Sequence, residues 1–484
     1  MSLANPSRAG LRRGITLLAL LLAACAVGPQ YKKPQLEMPQ AWKVEEPFRV
    51  GKPRDDAPKG PWWLRFSDPQ LDALQAKALA NSPNLVIAAA RLTQARAVLA
   101  GVSGSLYPQV GINVRDVRTR ISANRPLTNN NAPNFSTTQT DMVFAPAVNY
   151  EIDLAGRVSS LVEGARAQAE QSAADFENVR LLLTADLATA YFNLRAIDIE
   201  QDVLARNIEL QRKSLALARS RRELGAASGL DVAQPQALLD STLVQVDVLR
   251  RTRAQFEHAI ATLTGTPAPL FSLAPRSKVV DPPSVPIGLP SDLLERRPDV
   301  ASAERAMAAA NAQIGVAAAA YYPSISLGAL LGSQSRLARL WFTGPSYIWS
   351  FGFTMAQPIF DGGRINANVE GTKAGYEAAV AIYRRTVLNA MQEAEDGIIG
   401  LAALERAHEQ AKVAVASASR VLDIATTRYE GGIATALDVI TAQQSLLASE
   451  RLAAQLQGQR LLTTVFLIKA LGGDWEGPTK TADK

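Results

Sequence analysis

At 484 residues the chain is too long for one ordinary compact core. With aromatics at 6% and long stretches rich in Ala, Leu, Gln and Arg, it leans towards long helices rather than a β-sandwich. The formal charge of +6 includes Arg8, Arg12 and Arg13 of an acid-free start, so about +3 remains beyond residue 24; with no basic stripe interleaved with aromatics, nucleic-acid binding is excluded as the meaning of the charge.

Those first 24 residues join the three arginines to the apolar run ITLLALLLA, a secretory signal peptide. It ends in LAAC, Leu22–Cys25, which resembles the lipobox of bacterial lipoproteins, where the cysteine is lipidated and becomes the first mature residue. Cys25 is the chain's only cysteine. The alternative is an ordinary signal peptide with an incidental cysteine. Ala26, where a retention signal would place aspartate, implies sorting to the outer membrane.

After an N-terminal segment, 25–81, a proline in the first turn opens a predicted helix, Pro83–Ser103. Period-two alternation then marks strands at Val110, Ile112 and Val114 and at Phe144, Val148, Tyr150 and Ile152. The connection between them is polar and reads as a solvent loop, and Pro146 suggests a bend near the junction with the next helix. From Gly156 to about Arg222 there is no proline, which predicts a helix of about 100 Å at 1.5 Å per residue. A Gly-containing turn, LGAASG, leads into a return helix, roughly Leu230–Leu263.

A Pro-rich connector, 268–297, precedes a second pass through the same plan. It gives a helix at Pro298–Ala319, alternation at Ile325 and Leu327 and at Trp349, Phe351, Phe353 and Met355, a bend at Pro358, and a long helix from Gly363 to about Glu430. The turn YEGGIAT and a return helix, Leu437–Leu471, complete it. GRVSSLVEG at Gly156 returns as GRINANVEG at Gly363, LDVAQPQ at Leu230 as LDVITAQ at Leu437, and Gly225 as Gly432, each 207 residues on. LYPQV at Leu106 answers YYPSI at Tyr321 at an offset of 215, so the first copy has a loop longer by eight residues. The chain is therefore a tandem repeat, 82–267 and 298–473, with a tail at 474–484.

No apolar run after the signal reads as a membrane-spanning helix, so a crossing requires a closed β-barrel. Four strands cannot close one, since the smallest have about eight, whereas three copies would supply twelve. A soluble sheet is the alternative. His258 and His408 stand alone on helical patterns, and DGGR at Asp361 lacks the Lys-Ser/Thr of a phosphate loop and reads as an acidic helix cap. No nucleophilic or metal-ligand constellation is present, so the chain does not read as an enzyme.

The stretches LAAC, YEIDLAGR, TADLATAYFNLR, ERRPDVASAE, AAYYPSISL, QPIFDGGR and RYEGGIATALDVITAQ, in this order, resemble the TolC-like outer-membrane factors, and within them the OprM-type lipoprotein subgroup, the NodT family. The resemblance covers essentially all of the mature chain. It implies an α+β fold, mainly α: a homotrimer whose twelve-stranded outer-membrane barrel continues into a twelve-helix periplasmic barrel, with a mixed equatorial region. It implies an exit duct for drugs or toxic small molecules, working with a periplasmic adaptor and an inner-membrane transporter of the resistance-nodulation-division class. The alternatives are the exit duct of ABC-driven type I protein secretion, and a structural lipoprotein. No cofactor is implied beyond the lipid on Cys25, and no nucleic-acid partner.

By the same resemblance the periplasmic tip is the gate. Leu437 falls at the constriction, and Asp438 at the first of two acidic rings in such channels. Thr441 stands where a second aspartate is common, so one ring remains. Asp438 also fits the plain role of a first-turn helix acid, since Asp231 shares its position in the first repeat. Tyr429 and Asp231 are expected to bond across helices as a latch. A family arginine that would strengthen the latch is replaced by Ala434. The tips, with Arg221, Gly225, Arg428 and Gly432, are the expected adaptor contacts, although the glycines also serve turn geometry.

Overall fold

The computed structural model describes residues 29–32, 60–124, 136–276, 280–285 and 296–473. The signal peptide, Cys25, most of segment 25–81, loop residues 125–135, parts of the connector and the 474–484 tail lie outside the described residues. The elements run in chain order as α1 (Pro69–Asn81), α2 (Pro83–Ser103), β1 (Gln109–Ile121), β2 (Thr137–Ile152), α3 (Arg157–Glu223), α4 (Gly229–Leu263), α5 (Pro298–Ala319), β3 (Ser324–Ser335), β4 (Tyr347–Ala356), α6 (Arg364–Glu430) and α7 (Ala436–Ala470). The sequence α2-β1-β2-α3-α4 thus recurs as α5-β3-β4-α6-α7. The helix α3 and its counterpart α6 each have 67 residues, about 100 Å of helix. Among the described residues one span, Pro83–Leu106, which holds α2, is long and apolar enough to cross a membrane by length and composition, which corrects the reading that none is. It carries Arg91 and Arg96, and Val86, Ile87 and Val98 are exposed on it.

The chain divides into two compact units. The first comprises residues 1–34, 92–172 and 303–382 and contains the sheet. Its four strands pair antiparallel in the order β1-β2-β3-β4. Cross-strand rows such as Tyr150–Leu327–Phe353 and Val148–Ala329–Phe351 make one face apolar. Rows such as Asn149–Gly328–Gly352 and Glu151–Ser326–Thr354 make the other small and polar. This is the alternation of a strand with lipid on one side and an aqueous interior on the other.

Pro146 does not end β2. The strand's pairing with β1 continues through Ile112↔Pro146, whereas pairing with β3 lapses at Ala145 and Pro146. Proline has no N–H for that second ladder. Opposite the lapse is Gly332, where a Cβ would lie 2.2 Å from the Phe144 carbonyl oxygen, so only glycine fits. Pro358 does lie just beyond β4, in the approach to α6.

The repeated Gly-Arg motif has a backbone cause. Gly156 and Gly363 take φ of +71° and +86°, which turns the chain from strand into helix. Asp153 accepts from the Val158 and Ser159 N–H groups at 2.9 and 2.7 Å, and Asp361 from those of Gly363 and Ile365 at 3.0 and 2.7 Å. These acids cap α3 and α6. In the repeated Val-Glu-Gly, Val162 and Val369 are buried, and Gly164 packs near Ala312 of α5.

The second unit comprises residues 35–91, 173–302 and 383–484 and contains both long hairpins for most of their length. Near one end, a 3-10 turn at Trp62–Phe66 and α1 dock on α3. The Trp62 ring N–H donates to Thr184 Oγ1 at 3.2 Å, Phe66 lies 4.8 Å from Phe192, and the Tyr191 hydroxyl donates to Asp68 at 2.8 Å. Arg195 is fully buried among Asp198, Gln70 and the Ala274 carbonyl, at 2.6, 2.5 and 2.9 Å, while Arg253 also reaches Asp198 at 2.7 Å. Removing one member of such a network leaves a buried charge unpaired, which costs about 3–5 kcal/mol. At Gly458 of α7 an added Cβ would meet the Ala196 Cβ of α3 at 2.6 Å, so α7 needs glycine there to approach this helix.

Candidate functional site at the hairpin tips

At the far end of each hairpin the chain reverses in a tight turn. After α3, Gly225 adopts φ +75°; its N–H donates to the Arg222 carbonyl at 3.0 Å, and the Ala226 N–H to that of Arg221 at 2.8 Å. After α6, Gly432 adopts φ +76°; its N–H donates to the Tyr429 carbonyl at 3.0 Å, and the Ile433 N–H to that of Arg428 at 2.8 Å. Both are Schellman caps, with glycine at the left-handed position.

The return helices begin alike. The Ser228 N–H and hydroxyl donate to Asp231 Oδ2 at 2.7 and 2.8 Å. The Thr435 N–H and hydroxyl donate to Asp438 Oδ2, both at 2.8 Å. Each is the acidic half of a capping box. The Ser228 N–H first, and then its hydroxyl, hold the Asp231 carboxyl below its ordinary range. The Thr435 pair does the same for Asp438, with a smaller pull from Arg428.

The side chains between the two tips do not form the expected Tyr429–Asp231 latch in this structure. Asp231 is turned back onto its own helix start. Tyr429 is buried among Leu422, Ala436, Val439 and Leu446. What covers its ring is Arg221, whose guanidinium carbon lies 4.3 Å from the ring centre. Arg221 Nη2 also donates to the Glu430 carbonyl at 2.9 Å. One side chain of the first tip thus stacks on the second and caps the last turn of α6. A stacked, hydrogen-bonded arginine of this kind is worth about 1 kcal/mol for the cation–π part. Arg221 therefore has an intramolecular role that its place at a turn did not reveal. The available signal was an asymmetry: Arg221 and Arg428 are repeat equivalents, but the tyrosine at 429 is matched by Arg222.

Leu437 is 54% exposed and Ile433, just before it, 73%, so both apolar side chains are open in the single chain. Thr441 turns its hydroxyl to the Leu437 carbonyl at 2.8 Å. Among the described residues there is no group of His, Cys, Asp and Glu that could hold a metal ion.

Comparison with known proteins decides the family. The sequence pattern of the outer membrane efflux protein family matches residues 74–266 and 289–473, one span on each repeat. The chain belongs to this family of outer membrane efflux proteins. It is 31% identical to the pyoverdine export outer membrane protein OpmQ of Pseudomonas aeruginosa, over 94% of this chain and 95% of that one. It is also 31% identical to the toluene efflux pump outer membrane protein TtgC of Pseudomonas putida, over 97% of each. Among solved structures it superposes on the outer-membrane channel OprN with a TM-score of 0.86 and 28% identity, covering 93% of this chain and all of that one. The efflux protein is thus a TolC-like channel of the Gram-negative outer membrane, with no catalytic role.

Proposed function

We propose that this efflux protein is the exit duct of a tripartite pump: a homotrimer, met in the periplasm by an adaptor and fed by a resistance-nodulation-division transporter of the inner membrane. The observation that carries this reading is the four-stranded sheet, apolar on one face, small and polar on the other, with β1 and β4 each paired on one side only among the described residues. Unpaired edges are not tolerated in lipid, and four strands are too few to close on themselves. Three copies joined β4 to β1 supply twelve strands and a polar interior through which solutes can pass.

The cargo is drugs or other toxic small molecules. Relatives named for pyoverdine export and for toluene efflux are equally similar to this chain, so the transporter rather than the duct selects the cargo. A lipid on Cys25 adds a second hold on the membrane, since a single acyl chain binds only marginally. The turns at Arg221–Ser228 and Arg428–Thr435, with Gly225 and Gly432, meet the adaptor. Leu437, Asp438 and Thr441 line the constriction, and opening draws Arg221 away from Tyr429.

Cross-linking in intact cells, followed by mass spectrometry, tests the assembly. Three copies recovered with an adaptor and a resistance-nodulation-division transporter are expected, together with a loss of tolerance to several toxic compounds on deletion. Recovery of an ABC transporter instead would make the chain a protein-secretion duct. A lone monomer would sink the closure argument.

A further inference from the structure

The apolar face of the sheet ends before the strands do. Along β1 it reads Val110, Ile112 and Val114, and then, on the same side, Asp116, Arg118 and Arg120. The row through Arg118 and Thr140 of β2, carried on in the β2–β3 register, falls at residue 337. That position lies between Arg336 and Arg339, in the connection from β3 to β4. Two strand spacings, about 10 Å, therefore separate Arg118 from the start of the connection that carries Arg336 and Arg339. All four are exposed.

Their charges are not used internally. Arg115, on the other face, is paired with Asp141, which also accepts from Gln334 at 2.7 Å. No ion pair holds Arg118, Arg120, Arg336 or Arg339 among the described residues. The one side-chain contact in the group is from Arg120 Nε to the Ser136 hydroxyl at 3.3 Å, which leaves the charge uncompensated. Asp116 is the single carboxylate on that side of β1, beside Arg118 and Arg120, and Arg336 and Arg339 follow the end of β3.

Their level is that of a membrane surface. From Met355 to Tyr347 the apolar face of β4 rises eight residues, about 26 Å, close to the apolar band of an outer-membrane barrel. At the end nearest the arginines stand Trp341, Phe342, Tyr347 and Trp349, the aromatic girdle of an interface. The helices leave from the opposite ends of the strands, so the arginine end is the outer one. The headgroups met there belong to the outer leaflet.

We infer that Arg118, Arg120, Arg336 and Arg339 form a cationic collar that binds the phosphate groups of a phosphorylated glycolipid of the outer leaflet, whose acyl chains lie on the apolar face below. Guanidinium forks suit phosphate oxygens, and the acyl contact gives the lipid an advantage over free phosphate. The inference rests on the outer-membrane barrel proposed above, but not on what passes through it.

The test is native mass spectrometry of the full-length protein purified in mild detergent, offered the outer-leaflet glycolipid, the same glycolipid after enzymatic removal of its phosphates, or inorganic phosphate alone. The wild type is expected to retain the phosphorylated lipid, to lose it on dephosphorylation and not to exchange it for inorganic phosphate. The fourfold variant Arg118→Gln/Arg120→Gln/Arg336→Gln/Arg339→Gln is expected to retain it at least tenfold less well, at about 1 kcal/mol per basic residue near an anionic surface. The fourfold Lys variant keeps most of the binding. Equal retention of the dephosphorylated lipid by the wild type overturns the collar, whether or not the Gln variant inserts. So does unchanged retention by an inserted Gln variant, or displacement by inorganic phosphate, which would make it a free-anion site. Tolerance assays in the same strains separate the two readings: lipid binding without export would sink the pump and leave the collar standing.

Discussion

The two hairpin tips share a backbone and differ in what their side chains touch. Each has glycine at the left-handed position, the same pair of carbonyl caps and a Ser- or Thr-led capping box, all repeated at an interval of 207 residues. Yet Arg221 stacks on Tyr429, and the exchange is not returned, because the position equivalent to Tyr429 is Arg222. Duplication has kept the groups that terminate helices and altered the groups that join them. In a closed ring of six such hairpins, the contact inside a chain is arginine on tyrosine. In the proposed trimer the same repeat relation would set Arg428 of one chain against Arg222 of its neighbour, two like charges. The seams within each chain are then expected to be the firmer ones, and opening is expected to begin between chains.

The largest effect is expected from Tyr429→Ala, which empties a buried ring from the Leu422–Leu446 cluster and removes the platform for Arg221. Loss of a buried aromatic costs about 3–5 kcal/mol, so amide exchange at Ile433 and Ala434 should speed by orders of magnitude, and leak of large antibiotics through the duct should rise. Tyr429→Phe separates ring from hydroxyl. A stacked ring predicts near-wild-type exchange. A large effect would restore the hydroxyl latch to Asp231.

Gly225→Ala and Gly432→Ala come next. Neither added Cβ meets anything within 4 Å, so the cost is the left-handed backbone alone, about 1–2 kcal/mol, and equal at the two tips. Unequal costs, read by exchange at Ala226 and Ile433, would break the claim that the two backbones are equivalent. Arg221→Ala against Arg428→Ala is the complementary comparison, since here the tips should differ. The first should cost about 1 kcal/mol and the second close to nothing in the single chain. In the assembled ring Arg428→Ala should even tighten the tip, seen as a smaller single-channel conductance.

How much of this was legible in the sequence follows from which interactions are local. The limits of the six expected helices fell within one residue because proline, glycine and an acidic cap mark them in place, whereas α1 lies in a segment read without a helix. Strand β1 was read too short. Its outward residues turn from Val114 to Asp116, Arg118 and Arg120, so the apolar alternation stops seven residues before the strand does. What Pro146 costs was not legible because it depends on the partner strand, where Gly332 and the lapsed ladder accommodate it. The buried Arg195 network and the Arg221 stack join residues 79 and 208 positions apart, and neither arginine differs in sequence from the many that face solvent.

The smallest expected effect is that of pH, and its sign separates the two roles open to Asp438. As a helix cap its carboxyl is held below the ordinary range by the Thr435 N–H and hydroxyl. A depressed folded-state pKa gives stability that is fully present above the unfolded value, about 3.9, and is lost as pH falls through the folded value. Tip protection, which is exchange corrected for its intrinsic pH dependence, should then be flat from pH 8 down to about 5 and fall only in stronger acid, where wild type and Asp438→Asn converge. As one of three carboxylates facing each other across a closed pore, Asp438 would behave in the opposite way. Like charges raise a pKa, so protonation nearer neutrality would relieve repulsion and tighten the tip. Protection that rises between pH 7 and 5 in the wild type, and not in Asp438→Asn, would assign the residue to an acidic ring. A flat profile leaves it as the partner of Thr435, with the constriction formed by Leu437 alone.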